Sequence, residues 1–283
     1  MSESSLPLTA VPDSAGGAVP GPGQALLRSL TPLLAEWLPR QRWFAGKGRP
    51  ISGFGLVSVT ELLPCAAGGA APGLLHLLLR ARQPAPPAAP GPSAAPAQRH
   101  APGSSADCYQ LLLGVRDVLP PPLAQALIGR PTGGPLNGRA VYEALDDPRL
   151  AGLLLERLRA PGKLGPLRFT REETATIPSG LAPRPLTAEQ SNSSVVYGSA
   201  YILKLFRRVG PGVNPDLELP LALARHGSPG AERVPAPTAW FEAVVREASA
   251  GAGPLTLGVL QPFLPGHRDG WQLALAALAG RRG

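Results

Sequence analysis

Cysteine is nearly absent, with Cys65 and Cys108 the only two in 283 residues. Two thiols in a chain this long do not build a disulfide framework, and small buried thiols are the expectation. Histidine is also sparse. His76, His100, His226 and His267 are scattered, without the close His/Cys spacing of a zinc site, so no metal site is expected from them. No apolar run approaches the roughly 20 residues of a bilayer-spanning helix, and the longest lie near residues 74–79 and 273–278, so no membrane partner is expected. The start of the chain lacks the basic residues and apolar block of a secretory signal, which points to the cytoplasm. Lysine is the scarcest charged residue. The 27 Lys+Arg include only Lys47, Lys163 and Lys204, so each is worth tracing.

Abundance lies in the breakers, 34 Gly and 36 Pro, at the edge of low-complexity composition. The 44% apolar content and a mean hydropathy of +0.05 are too high for a wholly disordered chain. Folded modules joined by disordered stretches are therefore expected, with a tail over 1–23 and an insert over 83–106 that is too long for an ordered loop inside a compact domain. The first module spans 24–160. Leu27, Leu30, Leu34 and Leu38 mark an amphipathic helix that stops at Pro39. Strand patterns follow over 51–63, 74–80 and 108–115, then helical patterns over 123–128, 138–145 and 148–158. The net charge of +8 is mostly dispersed. Its one dense patch, Arg40, Arg42, Lys47 and Arg49 around Trp43 and Phe44, suits either a nucleic-acid surface or a helix end and turn with the aromatics in the core.

A second texture occupies 161–265. A strand is expected over 165–170, a turn-rich connection over 178–189, and two strands over 194–197 and 201–206 around the Gly198-Ser199 turn. Asn214 can cap a helix with Pro215 at its first position and Asp216 and Glu218 at its positive end, stopping near Gly227. Pro220 conflicts with that helix and predicts a kink or a late start. Two more strands over 237–245 and 255–262 and a helix over 270–279 complete the pattern. A polar loop with Ser191, Asn192, Ser193 and Ser194, a strand bearing Lys204, a helix bearing Glu218, and a strand ending at Gln261, Phe263 and Leu264 follow the order of a kinase small lobe. Small polar residues let backbone N–H groups approach phosphates, a lysine holds them, a carboxylate orients the lysine, and hinge backbone pairs with adenine.

The strings over 38–49, 190–198, 202–208, 211–218 and 269–274 closely resemble the actinobacterial maltokinases, sugar kinases of the aminoglycoside-phosphotransferase-like type. The resemblance covers about 24–283, excluding the Pro-rich insert. It implies an α+β fold in which an N-terminal cap, helices with a small antiparallel sheet, precedes a kinase-like small lobe. It places the 40–49 patch in the cap, Ser191–Ser194 over the ATP phosphates, Lys204 and Glu218 in the phosphate-orienting ion pair, and Gln261, Phe263 and Leu264 in the adenine hinge. It also implies ATP and maltose as substrates, maltose 1-phosphate as the product for α-glucan (glycogen-like) synthesis, Mg²⁺ held by the large lobe, a monomer, association with a trehalose synthase-type enzyme, and no nucleic acid. A glucosamine kinase and a non-catalytic nucleotide-binding or partner-binding remnant are the alternatives.

The chain ends soon after the hinge, so the expectation is a cap and small lobe, with 266–283 opening the first large-lobe helix and the catalytic lobe missing. His267-Arg-Asp269 copies a catalytic triplet of protein kinases, but it follows the hinge directly. The position for a metal-binding Asn holds Ala274, and no Asp-Phe-Gly follows. The triplet is therefore not read as catalytic.

Overall fold

The structure, a computed structural model, describes residues 21–84, 107–186, 191–227, 230–245, 253–266 and 276–278. Residues 1–20 of the tail expected over 1–23, residues 85–106 of the insert expected over 83–106, Gln190 in the polar loop, and the His267-Arg-Asp269 triplet with most of its following helix lie outside the described residues, while the last two residues of the expected tail belong to the first helix.

The first module is a sheet with helix α1 (Pro22–Trp37) on one face. Pro22 suits the first turn, where its missing N–H costs nothing. Leu26, Leu30 and Leu34 recur every fourth residue and are fully buried, together with Leu38 in the short 3₁₀ turn that follows. Burying each such leucine stabilises by about 1.5–3 kcal/mol. The sheet is antiparallel, in the order β1 (Gly53–Leu63), β2 (Gly73–Arg82), β3 (Asp107–Arg116), β5 (Ala140–Glu143), β4 (Leu127–Gly129). Leu74, Leu75, Leu77, Leu78 and Leu79 are all buried, because α1 covers one face of β2 and the second module covers the other. That explains a strand with no polar alternation.

Helix α2 (Pro148–Arg159) forms where expected. Asp147 caps it, its Oδ1 accepting the Arg149 amide at 3.0 Å. Its other oxygen accepts from Arg116 and from the Tyr142 hydroxyl, both at 2.8 Å, while Arg116 also donates to Tyr142 at 2.9 Å. Helix α2, expected in the first module, packs between the two sheets: an Arg157 Nη donates to the Leu62 carbonyl of β1 at 3.1 Å, and the buried Tyr197 hydroxyl donates to the Ala151 carbonyl at 2.8 Å.

The second sheet has seven antiparallel strands: β6 (Gly162–Leu164), β7 (Leu167–Arg171), β12 (Ala239–Ala243), β13 (Leu255–Pro262), β10 (Tyr201–Phe206), β9 (Asn192–Tyr197) and β8 (Pro183–Leu186), in that spatial order. Helix α3 (Pro215–His226) stands in sequence between β10 and β12. A loop-bearing hairpin, a lysine strand, a helix and a final strand pair are thus the order expected of a kinase-type small lobe. The modules are stitched together by β11 (Arg208–Val209), which leaves the second sheet and pairs with Tyr109 and Cys108 of β3. Buried Gln110 adds a second stitch, donating to the Phe206 and Leu257 carbonyls at 2.9 and 2.8 Å and accepting from His76 Nε2 at 2.9 Å. Burial lowers the His76 pKa to about 4, partly offset by that hydrogen bond, so the ring is the neutral donor.

Several expectations are corrected. The helical pattern over 138–145 is strand β5 followed by a 3₁₀ turn, because pairing with β3 overrides the helix preference of Ala, Glu and Leu. The pattern over 123–128 is a 3₁₀ turn running into β4. Strand β8 lies inside the expected turn-rich connection. Pro183 and Pro185 hid it, and an edge strand tolerates them because among the described residues one side of its backbone has no ladder partner. Helix α3 starts at Pro215 and runs through Pro220, so the late start is not seen.

Gly258 marks the tightest spot in the second sheet. A Cβ there would lie 2.5 Å from Phe241 Cε1 and 3.0 Å from the Lys204 carbonyl oxygen, and the Phe241 ring is stacked on Phe169 at 5.4 Å. Gly258→Ala is expected to destabilise the protein by about 1–3 kcal/mol, read from the urea midpoint at unchanged slope.

Candidate nucleotide site

The site is built on β10 and the start of α3. Lys204 stands opposite Ser194 of β9 and Val259 of β13, and directly opposed residues of antiparallel strands share a face. Lys204 and Ser194 therefore face one way, as does Asn192 opposite Phe206. Ser193, opposite Leu205, faces the other way.

The start of α3 is pinned near this face from two directions. Asn214 Oδ1 accepts the Asp216 amide at 2.9 Å, and the Asn214 amide donates to Thr256 Oγ1 of β13 at 3.0 Å. The Gly212 amide donates to Pro254 carbonyl at 3.0 Å. Asp216 is thereby carried to Lys204, whose Nζ lies 3.4 Å from Asp216 Oδ2, with the side chains 29% and 46% exposed. A carboxylate in the first helical turn is also favoured by the helix dipole.

The expected partner of Lys204 was Glu218, and this is corrected to Asp216. A helix turns by about 100° per residue, so residues two apart point to nearly opposite sides. With Leu217 buried and Asp216 on the lysine, Glu218 is left exposed. Sequence reasoning had the signal for Asp216, a second carboxylate in the first turn, but gave it only a dipole role.

The remaining expected residues divide. Ser191 is an exposed bend before β9, while Asn192, Ser193 and Ser194 lie in the strand. The Ser193 hydroxyl accepts from Arg207 Nε at 2.8 Å and does not share the Lys204 face. Gln261 is half-buried opposite Ile202, and the Phe263 amide donates to Ala200 carbonyl at 2.8 Å. Leu264 is 45% exposed. In the 40–49 patch the aromatics are packed, with Phe44 buried and Trp43 meeting Trp37 and Tyr109, while Arg40, Arg42, Lys47 and Arg49 are exposed and Arg40 pairs with Glu36. A cavity of about 750 Å³ opens elsewhere, between Leu63, Pro64, Leu150, Leu153, Leu181 and Pro183, and Lys204 does not line it. The site is defined by side-chain placement and not by that cavity.

Fold and site together describe an α+β protein in which the first sheet is hydrogen-bonded to the second through β11 and Gln110. Residues 37–147 match the family model of the maltokinase N-terminal cap domain, a match that stops at the residue before α2. Among solved structures, the chain is similar to a glucosamine kinase in complex with glucosamine, ADP and inorganic phosphate, at 17% identity and a TM-score of 0.45, covering 87% of this chain and 43% of that one. A second glucosamine kinase structure, crystal form A, matches at 16% identity and a TM-score of 0.43, covering 87% and 44%. The chain thus spans less than half the length of the solved structures it matches. Among the described residues, no helix is long and apolar enough to cross a membrane.

Proposed function

We propose that this chain is the cap and nucleotide-gripping lobe of a maltokinase-type sugar kinase, which transfers a phosphoryl group from ATP to maltose and yields maltose 1-phosphate for α-glucan (glycogen-like) synthesis in the cytoplasm. The match of residues 37–147 to the maltokinase cap carries this reading. The Lys204–Asp216 pair supports the ATP part. A lysine is a compact point charge for phosphate oxygens, and a carboxylate beside it restricts where its ammonium swings. At the hinge, Pro262 and Pro265 have no N–H and the Phe263 amide is committed to Ala200, so Leu264 is assigned the amide that meets an adenine edge.

Mg²⁺ belongs to such chemistry. Among the described residues no three of His, Cys, Asp and Glu converge, and the Asp and Asn ligands that hold magnesium with the ATP phosphates are assigned to the large lobe. Activation of the sugar hydroxyl is assigned to a carboxylate outside the described residues. Monomeric state and association with a trehalose synthase-type enzyme are part of the same proposal.

The test is ADP release by the full-length protein with ATP and, separately, maltose, glucosamine or glucose. Turnover with maltose is expected. Turnover with glucosamine alone would move the assignment to the neighbouring sugar kinase. Saturable nucleotide binding without turnover on any sugar would leave a non-catalytic binder.

A further inference from the structure

Arg207 immediately follows β10, yet its side chain is only 3% exposed and lies in the seam between the two sheets. Nε donates to Ser193 Oγ at 2.8 Å, an Nη stands 3.0 Å from Glu143 Oε2, and the guanidinium carbon lies 5.0 Å over the Trp43 ring. Its carbonyl accepts the Gln110 amide at 2.8 Å. Trp43, Gln110 and Glu143 all belong to the matched cap, and Ser193 belongs to β9 of the lobe. One buried cation is thus shared by a cap carboxylate, a cap ring and a lobe hydroxyl. Only a planar guanidinium can donate at two edges and stack on its face together; an ammonium cannot. Buried ion pairs are weak evidence for stability, and their better attested role is to fix one geometry among several.

The geometry that Arg207 fixes is the rotation of β9. Ser193 faces Arg207, so its neighbours Asn192 and Ser194 must face the other way, on the side of Lys204. We propose that Arg207 is a positioning residue through which the cap sets how the start of β9 presents its backbone and side chains to nucleotide phosphates. This rests on the nucleotide reading of the lobe. It also gives the cap a task that no contact between cap and nucleotide would require.

The test uses the full chain carrying Arg207→Lys or Glu143→Gln, with two readouts: amide hydrogen exchange over residues 191–197, and titration with fluorescent ADP. Glu143→Gln keeps the shape of the side chain and removes only its charge, and unchanged exchange in β2 verifies that the cap remains folded. Arg207→Lys is expected to speed exchange at 191–194 and to weaken ADP binding on the order of tenfold, with a smaller shift of the same sign for Glu143→Gln. Wild-type exchange at 191–194 in both variants would overturn the proposal. So would faster exchange with unchanged ADP affinity, which marks a purely structural clamp. A wild-type chain that binds no ADP is a separate result, read from its own titration; it would sink the nucleotide reading and the positioning role with it.

Discussion

Lys204→Met is expected to weaken ADP binding on the order of 10²-fold while leaving the urea midpoint nearly unchanged. The size follows from removing charge-assisted hydrogen bonds to phosphate, worth about 1.5–3 kcal/mol each. The unchanged stability follows because Lys204 is partly exposed and its ion pair with Asp216 is correspondingly weak. Methionine keeps the length of the side chain along the sheet and discards only the charge. Two companion variants separate the carboxylates. Asp216→Asn should cost a few-fold in ADP affinity, since it loosens the lysine without removing it. Glu218→Gln should cost almost nothing, since Glu218 is exposed on another side of α3. Equal losses for the two would show that Asp216 does not orient the lysine.

Asp147→Ala should destabilise the fold by about 3–5 kcal/mol through the unpaired Arg116, with about 1 kcal/mol more from the lost cap of α2. Asp147 is 3% exposed and Arg116 11%, so neither charge can turn to water when its partner is removed. Against a total stability of about 5–15 kcal/mol, that loss decides whether much of the protein is folded at room temperature. The pH dependence has a definite sign. Burial alone would raise the Asp147 pKa, but Arg116, Tyr142 and the Arg149 amide together hold it below the ordinary carboxylate value. A lowered folded-state pKa contributes stability that is fully present above the ordinary value of about 3.9 and is lost as pH falls through the lowered one. Wild-type protein should therefore lose stability steeply below about pH 4, and the variant should show a shallower acid limb over the same range, measured as urea midpoints at each pH.

The lobe elements that sequence made legible are those whose signals are local. Asn214, Pro215 and Gly227 bracket α3 by cap chemistry alone, and β13 ends as expected at Pro262. Lys204 stood out because lysine is scarce. What sequence did not show depends on partners far along the chain. Strand β11 is two residues long and joins a sheet from the other module, which no periodicity can announce. The helical composition of β5 was overruled by its place between β3 and β4. Asp216 and Glu218 could not be ranked without knowing the rotation of α3, and that rotation is set by Leu217 in the core and Thr256 on β13. The burial of Arg207 was equally silent, since an Arg-Arg pair after a strand reads as solvated charge.

The rarity of lysine also supplies the most direct test of the nucleotide reading. An ATP acyl-phosphate transfers its acyl group to a lysine amine held at the phosphates and releases ATP, and peptide mapping then identifies the residue modified. Lys47, Lys163 and Lys204 are the only lysine targets. Acylation concentrated at Lys204 and suppressed by excess ADP is expected. Labelling spread over Lys47 and Lys163, or labelling of Lys204 that ADP does not reduce, would contradict the nucleotide reading.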